Sequence, residues 1–143
     1  MIAPSTVARR TVQEIIATEF KDENVQVRSG FADASLGQYG PVASVSPVSE
    51  EPGVDDRLQL VTTLALEFFA SWQPETDPDI PVDPEVIESY VYRLRLALAA
   101  YTQTPDSTIW WFQLDEVVYE PDPTGNITRF VASVTAHGNN PAG

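Results

Sequence analysis

The sequence predicts an α+β domain of two layers, a mostly antiparallel sheet of four to five strands with two helices packed on one face. Three features point there. Apolar residues recur at helical spacing in two separate segments, Pro4 to Lys21 and Asp83 to Tyr101. The stretch from Arg57 to Trp72 alternates apolar and polar residues as a half-buried strand does. Residues 107–139 then read as two long strands joined by Asp122-Pro123-Thr124-Gly125. A length of 143 residues suits one domain, taken here as 1–143.

The first helix opens at Pro4 and Ser5 and runs through Lys21. Ala8, Val12, Ile16 and Phe20 recur every four residues and, with Ile15, form one apolar stripe. Val25 to Arg28 is a short strand candidate. Ser29 to Gly40, with Gly30, Gly37 and Gly40, reads as a mobile loop. Pro41 to Val48 is extended and is expected to end near Pro47. Residues 49–56, including the acidic run Glu50 to Asp56, form a polar turn region.

Arg57 to Trp72 is the longest strand candidate, with Leu58, Leu60, Leu64, Leu66 and Phe68 on one face and Thr62 as the interruption. Gln73 to Asp83 holds Pro74, Pro78 and Pro81 among acids and is an extended, mobile connector. Asp83 and Pro84 then start a second helix as N-cap and first-turn proline. Its buried stripe is Ile87, Tyr90, Val91, Leu94, Leu98 and Tyr101, and Pro105 lies past its end.

The closing hairpin pairs Thr108 to Glu120 with Asn126 to Ala136. Pro123 and Gly125 suit a type I turn, and a short C-terminal tail follows. Strand parity puts Leu58, Leu60, Leu64, Leu66, Phe68, Trp110, Phe112, Leu114, Val118, Phe130, Ala132 and Val134 beneath the helices. Glu116 shares that parity and is out of place there. The other face shows Val61, Ala65, Phe69, Ile109, Trp111, Val117, Tyr119, Ile127 and Val131, interleaved with Gln59, Glu67, Gln113, Asp115 and Arg129. Such a mixture is too apolar for water and too polar for a core, so it is expected to be an interaction surface, the alternative being a loop of the same chain that covers it.

Catalytic constellations are not found. With no Cys and a single His, thiol catalysis and a His-rich zinc site are excluded. His137, beside Gly138 and two Asn residues, reads as part of the tail. No phosphate loop, nucleophile elbow or dinucleotide fingerprint occurs. Asp77, Asp79, Asp83 and Glu85 supply oxygens of the kind that bind Ca²⁺, but without a glycine-centred loop. No cofactor is expected.

The formal charge is −13, from 21 acids and 8 bases, which disfavours a nucleic-acid-binding face. The run Trp110, Trp111 and Phe112, with Trp72 and Tyr119, is better explained by core and interface than by base stacking. No apolar window is long enough for a transmembrane helix, and no signal peptide is expected from the first residues. The absence of Cys fits a reducing compartment.

Two segments carry a family resemblance. The opening Ile2-Ala-Pro-Ser-Thr-Val-Ala-Arg-Arg-Thr-Val-Gln-Glu-Ile-Ile16 resembles tail terminator proteins of long-tailed (siphovirus-type) actinobacteriophages. So does the ending Asp122-Pro-Thr-Gly-Asn-Ile-Thr-Arg-Phe-Val-Ala-Ser-Val-Thr-Ala-His-Gly-Asn-Asn140. The long strand, the Trp72 region, the Asp-Pro turn and the second helix fit the same pattern, whereas Ser29 to Asp56 matches least.

The resemblance implies a non-enzymatic virion protein, assembled in the host cytoplasm and placed at the head–tail interface. As a homo-hexameric ring it caps the tail tube, ends tube growth and offers a docking surface to a head-completion or neck protein. Genomic DNA passes through the ring without specific binding. The residues expected at the contact between copies are Arg57, Val61, Ala65, Glu67, Phe69, Trp111, Asp115, Val117, Tyr119, Arg129 and Val131. Arg57 and Arg129 are the bases expected to form pairs between copies. The alternatives are another neck ring component, such as a stopper, or an acidic inhibitor that mimics DNA.

Overall fold

A computed structural model describes residues 2–30, 41–69, 84–121 and 127–142. The elements are α1 (Pro4–Glu19), a 3-10 turn (Lys21–Glu23), β1 (Gln26–Ser29), β2 (Val42–Pro52), β3 (Gln59–Phe69), α2 (Pro84–Ala99), β4 (Ile109–Pro121) and β5 (Ile127–Asn139). The five strands form one mixed sheet in the order β1-β2-β3-β5-β4. β1 runs parallel to β2, and every other pair is antiparallel. Both helices pack on one face, so the expected two-layer α+β architecture is the observed one.

Helix α1 begins with a proline in its first turn, where the missing N–H costs nothing. Ala8, Val12, Ile16 and Phe20 are all fully buried, as their spacing of four demands. Asn24 takes a left-handed conformation, φ 55°, and turns the chain into β1. In α2 the buried residues are Ile87, Val91, Leu94 and Leu98, with Tyr90 and Tyr101 packed at the edge of the core. Beneath the helices lie Leu64, Leu66 and Phe68 of β3 and Phe130, Ala132 and Val134 of β5.

An aromatic column crosses this core. Phe130 stacks on Phe68 at 5.2 Å, Phe68 meets Phe20 edge-on at 5.2 Å, and Tyr90 closes against both Phe20 and Phe68. Arg93 lies over the outer ring, its guanidinium 4.6 Å from the Phe20 centroid. The same group bonds Glu19 Oε1 at 3.1 Å, Glu23 Oε1 at 2.5 Å and the Glu19 carbonyl at 2.7 Å. One side chain thus joins α2 to the C-terminal end of α1, where free carbonyls favour a cation. Hydrogen bonding from Arg93, opposed by burial, holds the Glu23 carboxyl below its usual range.

Several expected positions are corrected in β4. Its pairing with β5 shifts register between Ile109 and Trp111 and again between Leu114 and Val117. Each shift inserts one extra residue, and an extra residue reverses the facing of all that follow. Ile109 therefore turns to the helices and is buried, while Trp110 leaves the core cluster. Past the second bulge, Val117 and Tyr119 pair with Ala132 and Phe130 on the helix side. Val118 pairs with Val131 on the opposite face and is 45% exposed. The misplaced Glu116 sits in the second bulge.

Three further expectations change. β2 does not end at Pro47: a bulge between Pro47 and Ser49 absorbs the missing donor, and pairing continues from Ser49↔Thr63 to Pro52↔Leu60. Glu50, Glu51 and Pro52 are thus strand, and the turn is confined to residues 53–58. There the Asp56 side chain accepts from the Leu58 amide at 2.8 Å. Leu58 belongs to that turn and is 63% exposed, instead of buried under the helices. β5 extends to Asn139, so His137 is a strand residue and not part of a tail.

The end of the chain is tied down as well, with the Asn140 amide donating to the Leu58 carbonyl at 2.6 Å. Gly138 is required at its position, because a β-carbon there would collide with the Thr108 carbonyl oxygen. The loop and turn expectations for residues 31–40, 73–83 and 122–125, and that for Trp72, lie outside the described residues.

Arg93→Met tests the helix tie. Its ion pairs are about a third exposed (side-chain accessibilities 32%/35% and 32%/26%), so each contributes less than roughly 1 kcal/mol. With the ring contact and the carbonyl bond lost, destabilisation of about 1–3 kcal/mol is expected in urea unfolding at pH 7. Because the Glu23 pKa is lowered by folding, this stabilisation is full above the ordinary glutamate value of about 4.3 and fades as pH falls below it. The gap between wild type and variant should therefore narrow at pH 3. A gap of equal size at both values would show that Arg93 acts only by packing.

Candidate functional site

The face turned away from the helices is assembled from alternate residues of all five strands. β3 contributes Val61, Thr63, Ala65, Glu67 and Phe69, and β5 contributes Arg129, Val131, Ser133, Thr135 and His137. From β4 come Trp111, Gln113 and Asp115, then Val118 and Glu120 past the bulge. Val42, Ser44 and Ser46 of β2 and Arg28 of β1 extend it to the far edge.

The face is not uniform. Around β2 it is closed: Val42, Ser44, Ser46 and Phe69 are buried, at 0%, 1%, 6% and 8% exposure. Toward β4 it opens, with Trp111 at 47% and Val118 at 45%. Val61, Ala65, Glu67, Val131, Ser133 and Thr135 are half-buried between these two zones.

His137 organises the open zone. Its ring stacks on Trp111, centroids 4.7 Å apart and planes 15° apart. Gln59 Nε2 lies 2.9 Å from His137 Nδ1, so the amide donates and Nδ1 accepts. That leaves the neutral ring with its proton on Nε2, which is buried without a partner. Burial pushes the imidazole pKa down, and the Asp115 charge opposes this. Asp115 itself accepts a hydrogen bond from Thr135 Oγ1 at 2.7 Å.

At the other end of the open zone, Arg129 pairs with Glu120 and places its guanidinium 5.2 Å from the Phe69 centroid. Arg129 is thus on the expected face, with a partner within its own chain. Arg57 is exposed in the turn between β2 and β3 and lies off the sheet face altogether.

Of the expected contact residues, the structure gathers Val61, Ala65, Glu67, Phe69, Trp111, Asp115, Arg129 and Val131 on this face, with Phe69 buried. Val117 and Tyr119 turn to the other side, and the side chain of Ile127 lies outside the described set. Gln59, expected on this face, lies there, and Val118, Thr135, Glu120 and His137 complete the surface without having been placed on it. The parity of Ser133, Thr135 and His137 was available to place His137 here, and the misplaced Glu116 was the one sign of a bulge.

Chemically the surface offers flat apolar contact with fixed hydrogen-bonding groups between. Among the described residues no set of three or more His, Asp or Glu is placed to hold a metal ion. Asp77, Asp79 and Asp83 lie outside the described residues, and Glu85 sits in the first turn of α2. No described helix is long and apolar enough to cross a membrane. No family model matches the chain, and a search of curated proteins finds no match.

The single His makes its ionisation readable by NMR from one set of ring signals. Its midpoint should fall below the ordinary imidazole value of about 6.5. The unfolded chain then binds the proton first, so this contribution to stability is complete above pH 6.5 and declines as pH falls toward the folded midpoint. Asp115→Asn should move the midpoint lower still. A midpoint at or above 6.5 would contradict the buried, stacked ring.

Proposed function

We propose that this chain is a structural subunit that closes into a homo-hexameric ring and caps the head-proximal end of a phage tail tube. The main support is the open zone of the sheet, where Trp111 and Val118 stand about half exposed among fixed polar groups. Aromatic anchors set among polar groups are what protein interfaces use. The resemblance of residues 2–16 and 122–140 to tail terminators of long-tailed phages names the assembly. An α+β subunit of this size fits that role.

Capping works by geometry. One rim of the ring matches the last ring of tube subunits, and the other lacks the surface that a further tube ring needs. Head-completion or neck protein docks on that second rim. The charge of −13 per chain keeps passing DNA from adhering. A heterologous contact that closes on itself is the symmetry required.

Loss of the gene should yield particles with overlong tails in electron micrographs, and purified protein should bind isolated tails at one end. Tails of normal length in its absence would contradict the proposal. Binding to DNA-filled heads but not to tails would reassign the chain to a stopper role in the neck.

A further inference from the structure

The two edges of the sheet differ in charge. β4, an edge strand of thirteen residues, carries Asp115, Glu116 and Glu120 and no base. The opposite edge is β1, bordered by α1. Pro4 to Ser29 holds four of the eight bases, Arg9, Arg10, Lys21 and Arg28. Two of its four acids, Glu19 and Glu23, are taken by Arg93 of α2. With Arg93 counted, the rim carries five bases against four acids, a formal +1 in a chain whose net charge is −13.

The basic rim is also one continuous unit. Arg9 donates to Ser29 Oγ of β1 at 2.6 Å, and Gln13 holds the Arg28 carbonyl at 3.1 Å. Among the described residues, Arg9, Arg10, Lys21 and Arg28 form no ion pair, and Arg10, Lys21 and Arg28 are exposed.

We infer that successive copies meet head to tail, the acidic β4 edge of one against the basic α1–β1 rim of the next. This rests on the ring proposed above and names the contact that builds it. Two-fold pairing is disfavoured at either edge, because β4 against β4 opposes Asp115 and Glu116 to themselves and β1 against β1 opposes Arg28 to Arg28. A contact between unlike edges relieves both, and such contacts generate rings when the rotation closes. The bulges at Trp110 and at Asp115–Glu116 interrupt the regular β4 edge, so side-chain charge and not an extended hydrogen-bond ladder selects the partner. Glu120 is already engaged by Arg129, which leaves Asp115 and Glu116 to face the neighbour's Arg28.

The absence of cysteine makes the contact directly testable. Arg28→Cys and Glu116→Cys are prepared as separate proteins, mixed, and treated with a short bis-maleimide. This is done at high concentration and again on isolated tails. A covalent 28–116 dimer is expected, with a ladder ending at a closed ring when both substitutions share one chain. In parallel, Arg28→Glu and Glu116→Arg should each weaken assembly by about tenfold or more, and the doubly swapped chain should recover it.

A 116–116 product, or sedimentation as an oligomer without any 28–116 product, overturns the head-to-tail contact and leaves the ring proposal standing. A chain that stays monomeric at every concentration, and on tails, overturns both. Oligomers indifferent to the charge swaps also overturn the pairing.

Discussion

Arg93 fixes α2 to the carbonyl end of α1, and the pair is held over the sheet face that Leu64, Leu66, Phe68, Phe130, Ala132 and Val134 make apolar. Its guanidinium engages Glu19, Glu23 and the Phe20 ring together, closing the aromatic column that runs through Phe68 to Phe130. With the helices held over one face, no described helix lies on the other. That face must satisfy its apolar residues through some other contact. In the β2 zone it is already closed, and in the β4 zone Trp111 and Val118 remain half exposed.

Charge shapes the surface in the same way. In an acidic chain with 8 bases, the position of each base carries weight. Arg93 and Arg129 serve internal contacts, and Arg95 donates to the Leu114 carbonyl at the β4 bulge. The bases left free gather on the α1–β1 rim, with Arg57 apart in its turn. β4, on the opposite edge, carries Asp115 and Glu116 and no base. A chain that spends its few cations in this manner resists two-fold association through either edge.

The helices and β3 are legible in the sequence because a single periodicity governs each. Ala8, Val12, Ile16 and Phe20 all lie on one stripe, and Leu64, Leu66 and Phe68 keep strict alternation. β4 is not legible in the same way: two bulges reverse its facing, and bulges answer to the register of pairing with β5, which no periodicity within β4 records. The Ile109, Val117, Val118 and Tyr119 assignments therefore invert while those for Phe112 and Leu114 hold. β2 misleads for a related reason, since Pro47 reads as a terminator and the sheet accommodates it with a bulge. His137 is masked by its Gly and Asn neighbours although the alternation Ser133, Thr135, His137 runs through it, and its pairing with Val61 and Trp111 makes it part of the surface.

Hydroxyl-radical footprinting read by mass spectrometry tests the central claim most directly, comparing dilute protein with protein assembled on tails. Tyr92 and Leu96, on the outer side of α2 at 63% and 52% exposure, serve as internal references. If a sister copy covers the open zone, Trp111 and Val118 lose reactivity on assembly while Tyr92 and Leu96 keep theirs. Equal reactivity of Trp111 in the two states, or protection that appears on α2 instead, would contradict the account.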